Sequence, residues 1–600
     1  MEKNIKYILF AVVVLFLTAC EDYLDLAPEN DLSLEEVFQD FQNAQGWMDE
    51  CYMYVVDYAQ KSHWNSCFNL GDDAYCNNTW IYSTEMEKGN FAIWPNNNFN
   101  YFTEPGGGST TAFNAKDRPG IWQGWEAIRK ANIAIESIEE KGWMINASEA
   151  EKDAVLGQAY FFRAFFHMEI MKFWGRIPYV DVVLTGEEFK NYKRPDTYKE
   201  CALKADQDLA RAAELLPVDW DNHEAGDKTQ GQNKGRVTKG AAYAFKGKNL
   251  LLAASPLMRE SRDTYDYDQE LCAMAVESFS EVLKLGDQGV YTLESFDNYE
   301  AVFYTEGGNP RVWPGGTEFI FSGPTNGSAY GVRQMSGVYQ LTAYGGSGGW
   351  SVSPTHNYVQ KNFGMIDGLS CEDSPLHNPL KPFENRDARF YKWLVIDGDQ
   401  ISVKNNTRIA NLYVGGNGRF NGGDKNTSYT GYIIKKWYPL SFNSVDKNQN
   451  FSAYRLHMRL TDVYLMYAEA ALMAHGISVN APNYSLSAEG AINALRDRAG
   501  IPHVANRYKA SVNSFMDEVR RERAVELSWE GHRWVDIRRW SLADLDEYKV
   551  KTELRFDKDH TYFEEAVLLT RVCEYPKHFW LPFEKSQTEI YKGFEQNPGW

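Results

Sequence analysis

The sequence predicts a mainly α-helical protein, a scaffold of helix pairs carrying one large loop-rich, partly β insertion that forms the ligand face. Three observations predict it. Apolar residues recur at helical spacing near both ends of the 600-residue chain. Each run is bounded by helix start and stop signals. Between the two helical regions the period vanishes, and Gly, Asn, Asp and aromatic residues accumulate.

Ser33 and Glu36 form a capping-box pattern ahead of Val37, Phe38, Phe41, Trp47, Met48, Cys51 and Val55. Trp122, Trp125, Ile128, Ile135 and Ile138 give a second stripe. Ser148 and Glu151 open a third helix, with Val155, Ala159, Phe162, Phe166 and Phe173 on one face and a stop at Trp174-Gly175. Thr197 to Leu216 ends at Pro217, Thr238 to Ala254 at Ser255-Pro256, and Leu271 to Leu285 at Gly286. After the insertion, helices run from Leu460 to Ala474, Ser487 to Ala499 and Ser511 to Glu530, each closed by a glycine. Successive pairs suggest a tetratricopeptide-like stack. Leu156-Gly157-x-x-Tyr160 matches part of that repeat's signature, although Asp153 holds its first aromatic position and no strict period of about 34 residues is visible.

In the insertion, residues 291–455, "VWPGGTEFIF" and "VYQLTAYGGSGGWSVSP" read as short strands and loops. So long an irregular segment inside a compact protein is usually functional.

The N-terminus is an export signal. Lys3 and Lys6 precede an apolar run from Ile8 to Leu17, too short to span a bilayer. Leu17-Thr18-Ala19-Cys20 resembles a bacterial lipobox, which would make residues 1–19 a signal peptide and Cys20 an acylated first residue. The expected divisions are then 20–290, 291–455 and 456–600, with 20–600 forming one structural unit. A net charge of −20 argues against nucleic acid as a partner, since phosphates would be repelled. The seven other cysteines show no C-x-x-C pair, which excludes a zinc ribbon and favours buried thiols. Cys67 and Cys76, the closest pair, leave a disulfide open.

No catalytic, cofactor or metal motif stands out. Glu526 and Glu530 lie one helical turn apart, whereas glycosidase carboxylates flank the sugar from different elements. His532 and Asp536 do not make an HExxH pattern. The expected role of this Arg- and Glu-rich segment is structural, with each sign satisfying the other between packed helices. "GGSGG" formally matches G-x-S-x-G around Ser347, but Pro354 argues against the helix that motif requires.

The aromatic residues are more informative. Aromatics make up 14% of the chain, and many sit in polar loops where no core needs them. A flat ring covers the apolar C–H face of a sugar while neighbouring polar groups take its hydroxyls. "LGDDAYCNNTWIY" supplies Asp73, Asn78, Trp80 and Tyr82 for that purpose, and the insertion supplies Trp313, Arg333, Tyr344 and Trp350.

"EVRRERAVELSWEGHRWVDIRRW" (518–540) resembles the C-terminal hallmark of the SusD/RagB family of outer-membrane nutrient-binding lipoproteins. "YLDLAPENDLSLEEVF", "GQAYFFRAFFHMEIMKFWGRIPYV", "SPTHNYVQKNFGMIDG", "RLTDVYLMYAEA" and the closing "KGFEQNPGW" resemble further family segments in the same order. The resemblance implies a tetratricopeptide-like frame with a loop-rich face and no enzymatic activity. It implies a surface-exposed lipoprotein that captures oligosaccharide or polysaccharide and passes it to a SusC-like TonB-dependent transporter. It also implies that the acids after Cys20 (Glu21, Asp22, Asp25) direct surface display. Some relatives serve other ligands, peptides included. A glycoside hydrolase and a peptide-binding helical scaffold are the competing readings.

Overall fold

The computed structural model describes residues 32–56, 70–77, 82–91, 121–306, 316–323, 352–405, 408–422, 427–437, 439–441, 446, 451–453, 456–589 and 593–600. The main helices are α1 (Phe41–Met53), α2 (Gly124–Ile135), α3 (Glu149–Trp174), α4 (Tyr198–Leu215), α5 (Lys239–Ala254) and α6 (Gln269–Asp287). They continue as α7 (His356–Asn362), α8 (Ala388–Trp393), α9 (Leu460–His475), α10 (Ala488–Ala499), α11 (Val512–Glu526) and α12 (Arg533–Arg539). Strands among the described residues are short: β1 (Ala74–Tyr75), β2 (Tyr304–Glu306), β3 (Phe319–Phe321), β4 (Ser353–Pro354), β5 (Leu394–Val395), β6 (Ile433–Ile434), β7 (Phe451–Ala453), β8 (Met458–Arg459), β9 (Val550–Phe556) and β10 (Phe563–Thr570) form five two-stranded sheets. No helix among them is long and apolar enough to cross a membrane.

The predicted start signals operate as read. Ser33 with Glu36 and Ser148 with Glu151 form reciprocal capping boxes. Thr197, Thr238, Ser487 and Ser511 each accept a first-turn backbone N–H. Helix α9 ends at Gly476 (φ 97°) and α10 at Gly500 (φ 68°), conformations that only glycine enters without strain.

Each helix packs on its neighbour in chain order from α2 through α6, and α6 then packs on α9. The insertion therefore leaves the stack after α6 and returns to it at α9. Close approach depends on missing side chains. A Cβ on Gly157 would lie 2.8 Å from Leu216 Cγ, and one on Gly247 would lie 2.5 Å from the Phe279 ring. The glycine of the Leu156-Gly157 motif is thus where α3 meets the end of α4.

Helix α3 departs from expectation. Its apolar face was expected to be one-sided, yet nearly the whole helix is buried. Phe161 and Phe165 contact Phe245 of α5 and Phe321 from the insertion edge, while Phe162 meets Tyr52 of α1. Its polar residues are buried with partners. Arg163 grips Asp208 bidentately at 2.7 and 2.6 Å. His167 accepts from Val180 N at 2.9 Å and stacks on Tyr179 at 3.9 Å, and burial pushes its pKa down to about 3.

A second apolar core belongs mainly to the insertion, built on Tyr299, Phe303, Tyr358, Phe390, Trp393 and Trp437. Helix α11 is the wall between the two cores. Its Phe515, Met516 and Val519 face the helical stack, and its Ala524 and Val525 face the insertion.

That wall is charged as well as apolar. Arg389, Lys436, Arg459, Arg496, Arg498 and Arg521 face Glu318, Asp387, Glu518, Glu522, Glu526 and Glu530. Six cations thus meet six carboxylates. Glu526, 0% exposed, accepts from Arg389 at 2.7 Å, Arg498 at 2.5 Å and the Tyr299 hydroxyl at 2.5 Å. Burial alone would raise its pKa, but Arg498, Arg389 and Arg459 hold it at about 2. Glu530 accepts from Arg459 at 2.9 and 3.0 Å and from Lys436 at 2.6 Å. The structural reading of the hallmark segment is what the geometry shows, and these two carboxylates are engaged by cations.

The helix carrying Glu526 is shorter than expected, ending there and not at Glu530. Trp529 takes a left-handed φ of 58° and turns the chain. The freed helix-end carbonyls find buried donors: Lys436 Nζ donates to Glu526 O at 2.9 Å and Ser528 O at 3.2 Å.

Glu526→Gln should therefore lower stability by about 3–5 kcal/mol in urea unfolding, because it removes a buried carboxylate charge that Arg389 and Arg498 share. Glu149→Gln, at an exposed pair with Lys152, should change it by less than about 1 kcal/mol. Equal effects at the two sites would show that burial does not set the energetics.

Candidate functional site

The early loop after α1 is fastened to the C-terminal region by four contacts. Arg533 of α12 holds Asp72 bidentately at 2.6 and 2.7 Å. Trp529 Nε1 donates to Asp73 O at 3.1 Å, Lys551 Nζ to Ala74 O at 2.6 Å, and Arg571 to Leu70 O. Burial works against ionisation of Asp72, but Arg533 overrides it and keeps the pKa low.

From this base the chain enters β1 (Ala74–Tyr75), which pairs antiparallel with β4 (Ser353–Pro354), Tyr75 opposite Ser353. One ladder thus joins the two sequence segments expected to bind ligand.

A cleft of about 490 Å³ opens at this junction. Its aromatic wall is Tyr75, Phe420, Tyr429 and Tyr562. Tyr75 and Tyr429 meet edge to face with centroids 5.5 Å apart, and Phe420 and Tyr429 lie at 4.6 Å. The polar wall comes from the hairpin of β9 (Val550–Phe556) and β10 (Phe563–Thr570). There Glu553 sits between Arg419, with which it is ion-paired, and Arg555, whose Nε donates at 2.9 Å. Asn77 and Glu564 complete that side. Burial pushes the Tyr75 pKa up to about 12, so its phenol stays a neutral hydroxyl. Loop 427–430 is tied to both sides, since Tyr429 N donates to Ser353 Oγ at 3.1 Å and Leu554 N to Thr430 O at 2.9 Å.

The arrangement offers rings for an apolar face and paired charges with spare oxygen lone pairs for hydroxyls. No group of three or more His, Cys, Asp or Glu that could hold a metal occurs among the described residues. Cys51, Cys201, Cys272, Cys371 and Cys573 are buried free thiols, as expected.

Of the residues anticipated from sequence, Cys20, Asn78, Trp80, Trp313, Arg333, Tyr344 and Trp350 lie outside the described residues, as do Cys67 and Ser347. Tyr82 begins a short helix, Tyr82–Glu87, and its side chain is also outside them. Asp73 is placed away from the cleft. It is 1% exposed beneath the loop, and neither carboxylate oxygen has a hydrogen-bond partner. Burial and the adjacent Asp72 push its pKa up to about 7 against the pull of Arg533 and Lys551. Sequence reasoning did not single out Tyr75, Arg419, Phe420, Tyr429, Glu553 or Arg555. Phe420 and Tyr429 sit in the kind of Gly- and Asn-rich stretch that drew attention elsewhere, but nothing local signals the hairpin's approach.

A helical stack bearing such a cleft has the form of a ligand-binding scaffold. Residues 317–600 match the SusD family, and residues 22–251 match the family described as starch-binding associating with outer membrane. The chain belongs to the SusD/RagB family. It is 24% identical over 562 residues to SusD-like protein P2 of Formosa agariphila, covering 90% of this chain and 91% of that one. Two Bacteroides fragilis structures share the fold. A SusD-like protein matches at TM-score 0.68 and 21% identity over 96% of this chain and 100% of its own. A SusD-like carbohydrate-binding protein matches at TM-score 0.64 and 19% identity over 93% and 100%. A structure solved with xylogluco-oligosaccharide matches at TM-score 0.57 and 17% identity over 91% and 97%.

Asp73 gives the loop base a pH dependence. A folded-state pKa above the ordinary value of about 4 means the native chain holds this proton more tightly than the unfolded one. The stabilising contribution is complete below about pH 4 and is lost as pH rises through about 7. Asp73→Asn should therefore be more stable than the parent at pH 8, on the order of 2–4 kcal/mol, with the gap closing near pH 4. Urea unfolding at pH 4, 6 and 8 measures this, and a gap that does not change with pH rejects it.

Proposed function

We propose that this chain is a lipid-anchored protein of the outer cell surface that captures oligosaccharides in the β1–β4 cleft and delivers them to a SusC-like TonB-dependent transporter. The observation that carries the reading is the cleft itself. Tyr75, Phe420 and Tyr429 stand across from Arg419, Glu553 and Arg555, at the point where the early and middle loops converge. Such rings cover the C–H face of a pyranose, and the flanking polar groups take its hydroxyls. Carbohydrate binding by a structural neighbour and the xylogluco-oligosaccharide held by another support this class of ligand.

Asn78, Trp80, Tyr82, Trp313, Arg333, Tyr344 and Trp350 are the proposed remaining contacts, chosen for their chemistry and their loops. Capture and release make and break no covalent bond, and no catalytic residue is assigned. Residues 1–19 are proposed to be removed and 20–600 to work as one unit, tethered through acylated Cys20. The lipid supports a firm anchor because each buried methylene contributes about 0.8 kcal/mol.

Native gels containing a panel of polysaccharides test the ligand class. One glycan class should retard the chain from Glu21 onward, and Tyr75→Ala with Phe420→Ala, or Trp80→Ala with Trp350→Ala, should weaken that retardation about tenfold or more. Retardation unaffected by either pair would keep the function and move the site. No retardation by any glycan would point to a peptide cargo. For the anchor, metabolic labelling with a radioactive fatty acid should mark the protein and fail to mark Cys20→Ser. Label retained on that variant would refute the assignment.

A further inference from the structure

A second cavity, of about 580 Å³, lies beside α11 at the Glu518 and Arg521 end of the charged network, among residues that the cleft does not use. Its walls come from the loop before α6 (Tyr265), the end of α7 (Lys361), the segment before α11 (Tyr508) and the residues leading into β9 (Tyr548). Its volume falls in the range of small-ligand sites, about 300–1,000 Å³.

The tyrosines are held in place before any ligand arrives. Tyr265 donates its hydroxyl to Asp517 at 2.9 Å, with the Arg520 guanidinium 4.8 Å from its ring centre. Tyr508 donates to Asp373 at 2.7 Å and accepts from Ser370 N at 3.0 Å. Tyr548 accepts from Lys361 at 3.2 Å, with that ammonium 4.3 Å from its ring centre. Tyr265 and Tyr508 are both part-exposed.

Most of the charges around the cavity are already paired. Lys361 meets Glu547 at 2.7 Å, Arg520 meets Asp517 at 3.1 Å, and Arg507 meets Asp373 at 2.8 Å. An ionic ligand would have to break such a pair. A neutral polyhydroxylated ligand would not, because an ion-paired carboxylate keeps spare lone pairs for hydroxyl donors. Pinned rings beside spare carboxylate acceptors are a combination that suits a sugar.

We propose that this cavity is a second saccharide-binding site, separate from the cleft, that takes a neutral pyranose against Tyr265 and Tyr508. It rests on the carbohydrate reading above only for the class of ligand. Strand β9 links the two sites, since Tyr548 lies just before it and Glu553 and Arg555 are on it. The five steps along the strand from Val550 to Arg555 rise about 17 Å, a span that a longer oligosaccharide can cover. Two weak sites on one chain raise the overall affinity for a polymer through effective concentration, without any stronger contact at either.

Saturation-transfer NMR with glucose, galactose, mannose and xylose at millimolar concentration tests it, on the lipoprotein purified in a sugar-free detergent. At least one sugar should give signal in the native protein and in the cleft variant Tyr75→Ala/Phe420→Ala. That signal should fall at least fivefold in Tyr265→Ala/Tyr508→Ala and persist in Tyr265→Phe/Tyr508→Phe, which keeps both rings. Thermal melting of the alanine pair should match the parent; if it does not, the single variants Tyr265→Ala and Tyr508→Ala are read in its place. Signal that vanishes in the cleft variant and survives loss of both tyrosines overturns the second site. Absence of signal from all four sugars also overturns it, while polysaccharide retardation in gels would still leave the cleft reading intact.

Discussion

The rest of the structure depends on the buried meeting of six cations and six carboxylates along α11 and the turn after it. Burying any one of these groups alone is prohibitive, and the arrangement holds because every member is paired. The partners come from far apart in sequence: Glu318 and Tyr299 from the start of the insertion, Arg389 from α8, Lys436 from its later part, Arg459 and Arg498 from the returning helices. A directional contact such as the Arg459 fork on Glu530 leaves less freedom than apolar packing does. Satisfying all of them at once sets how the insertion sits on the helical stack.

The same segment positions the binding loops. Glu530 belongs to the ion network, Trp529 beside it holds Asp73 O, and Arg533 three residues on holds Asp72. Within five residues the chain thus passes from the inner structural network to the base of the ligand loop. The left-handed Trp529 makes this possible. A helix continued to Glu530 would carry these side chains around a single axis, whereas the turn directs neighbours to opposite sides.

Much of the scaffold was legible because its causes are local. Helical periodicity, Ser and Thr caps and glycine stops act over a few residues, and the capping boxes at Ser33 and Ser148 formed as their spacing required. The misreadings are non-local. Phe161 and Phe165 of α3 are buried because Phe321 arrives from more than 150 positions away, which no window around α3 reveals. The early end of α11 follows from Lys436 and Arg459 capping its last carbonyls, again from distant segments. At the cleft, β1–β4 pairing joins the early and middle segments that the sequence singled out. Asp73 shows the limit of that reasoning: an acid in a polar loop looks like a ligand contact, yet Asp72 and Asp73 are both buried, Asp72 by its pairing with Arg533.

The anchoring contacts also explain how one frame accommodates different loops. Trp529, Lys551 and Arg571 all hold the early segment by its main-chain carbonyls, at Asp73, Ala74 and Leu70. A backbone acceptor is the same whatever side chain follows it, so these contacts survive substitution in the loop. Side chains further along the loop can then change while its base stays fixed. Such a division lets the fold persist at a TM-score of 0.68 with only 21% identity. It places the constraint on the charged turn after α11, where a side chain lost removes both an ion-pair partner and a loop anchor, and leaves the residues facing the ligand comparatively free.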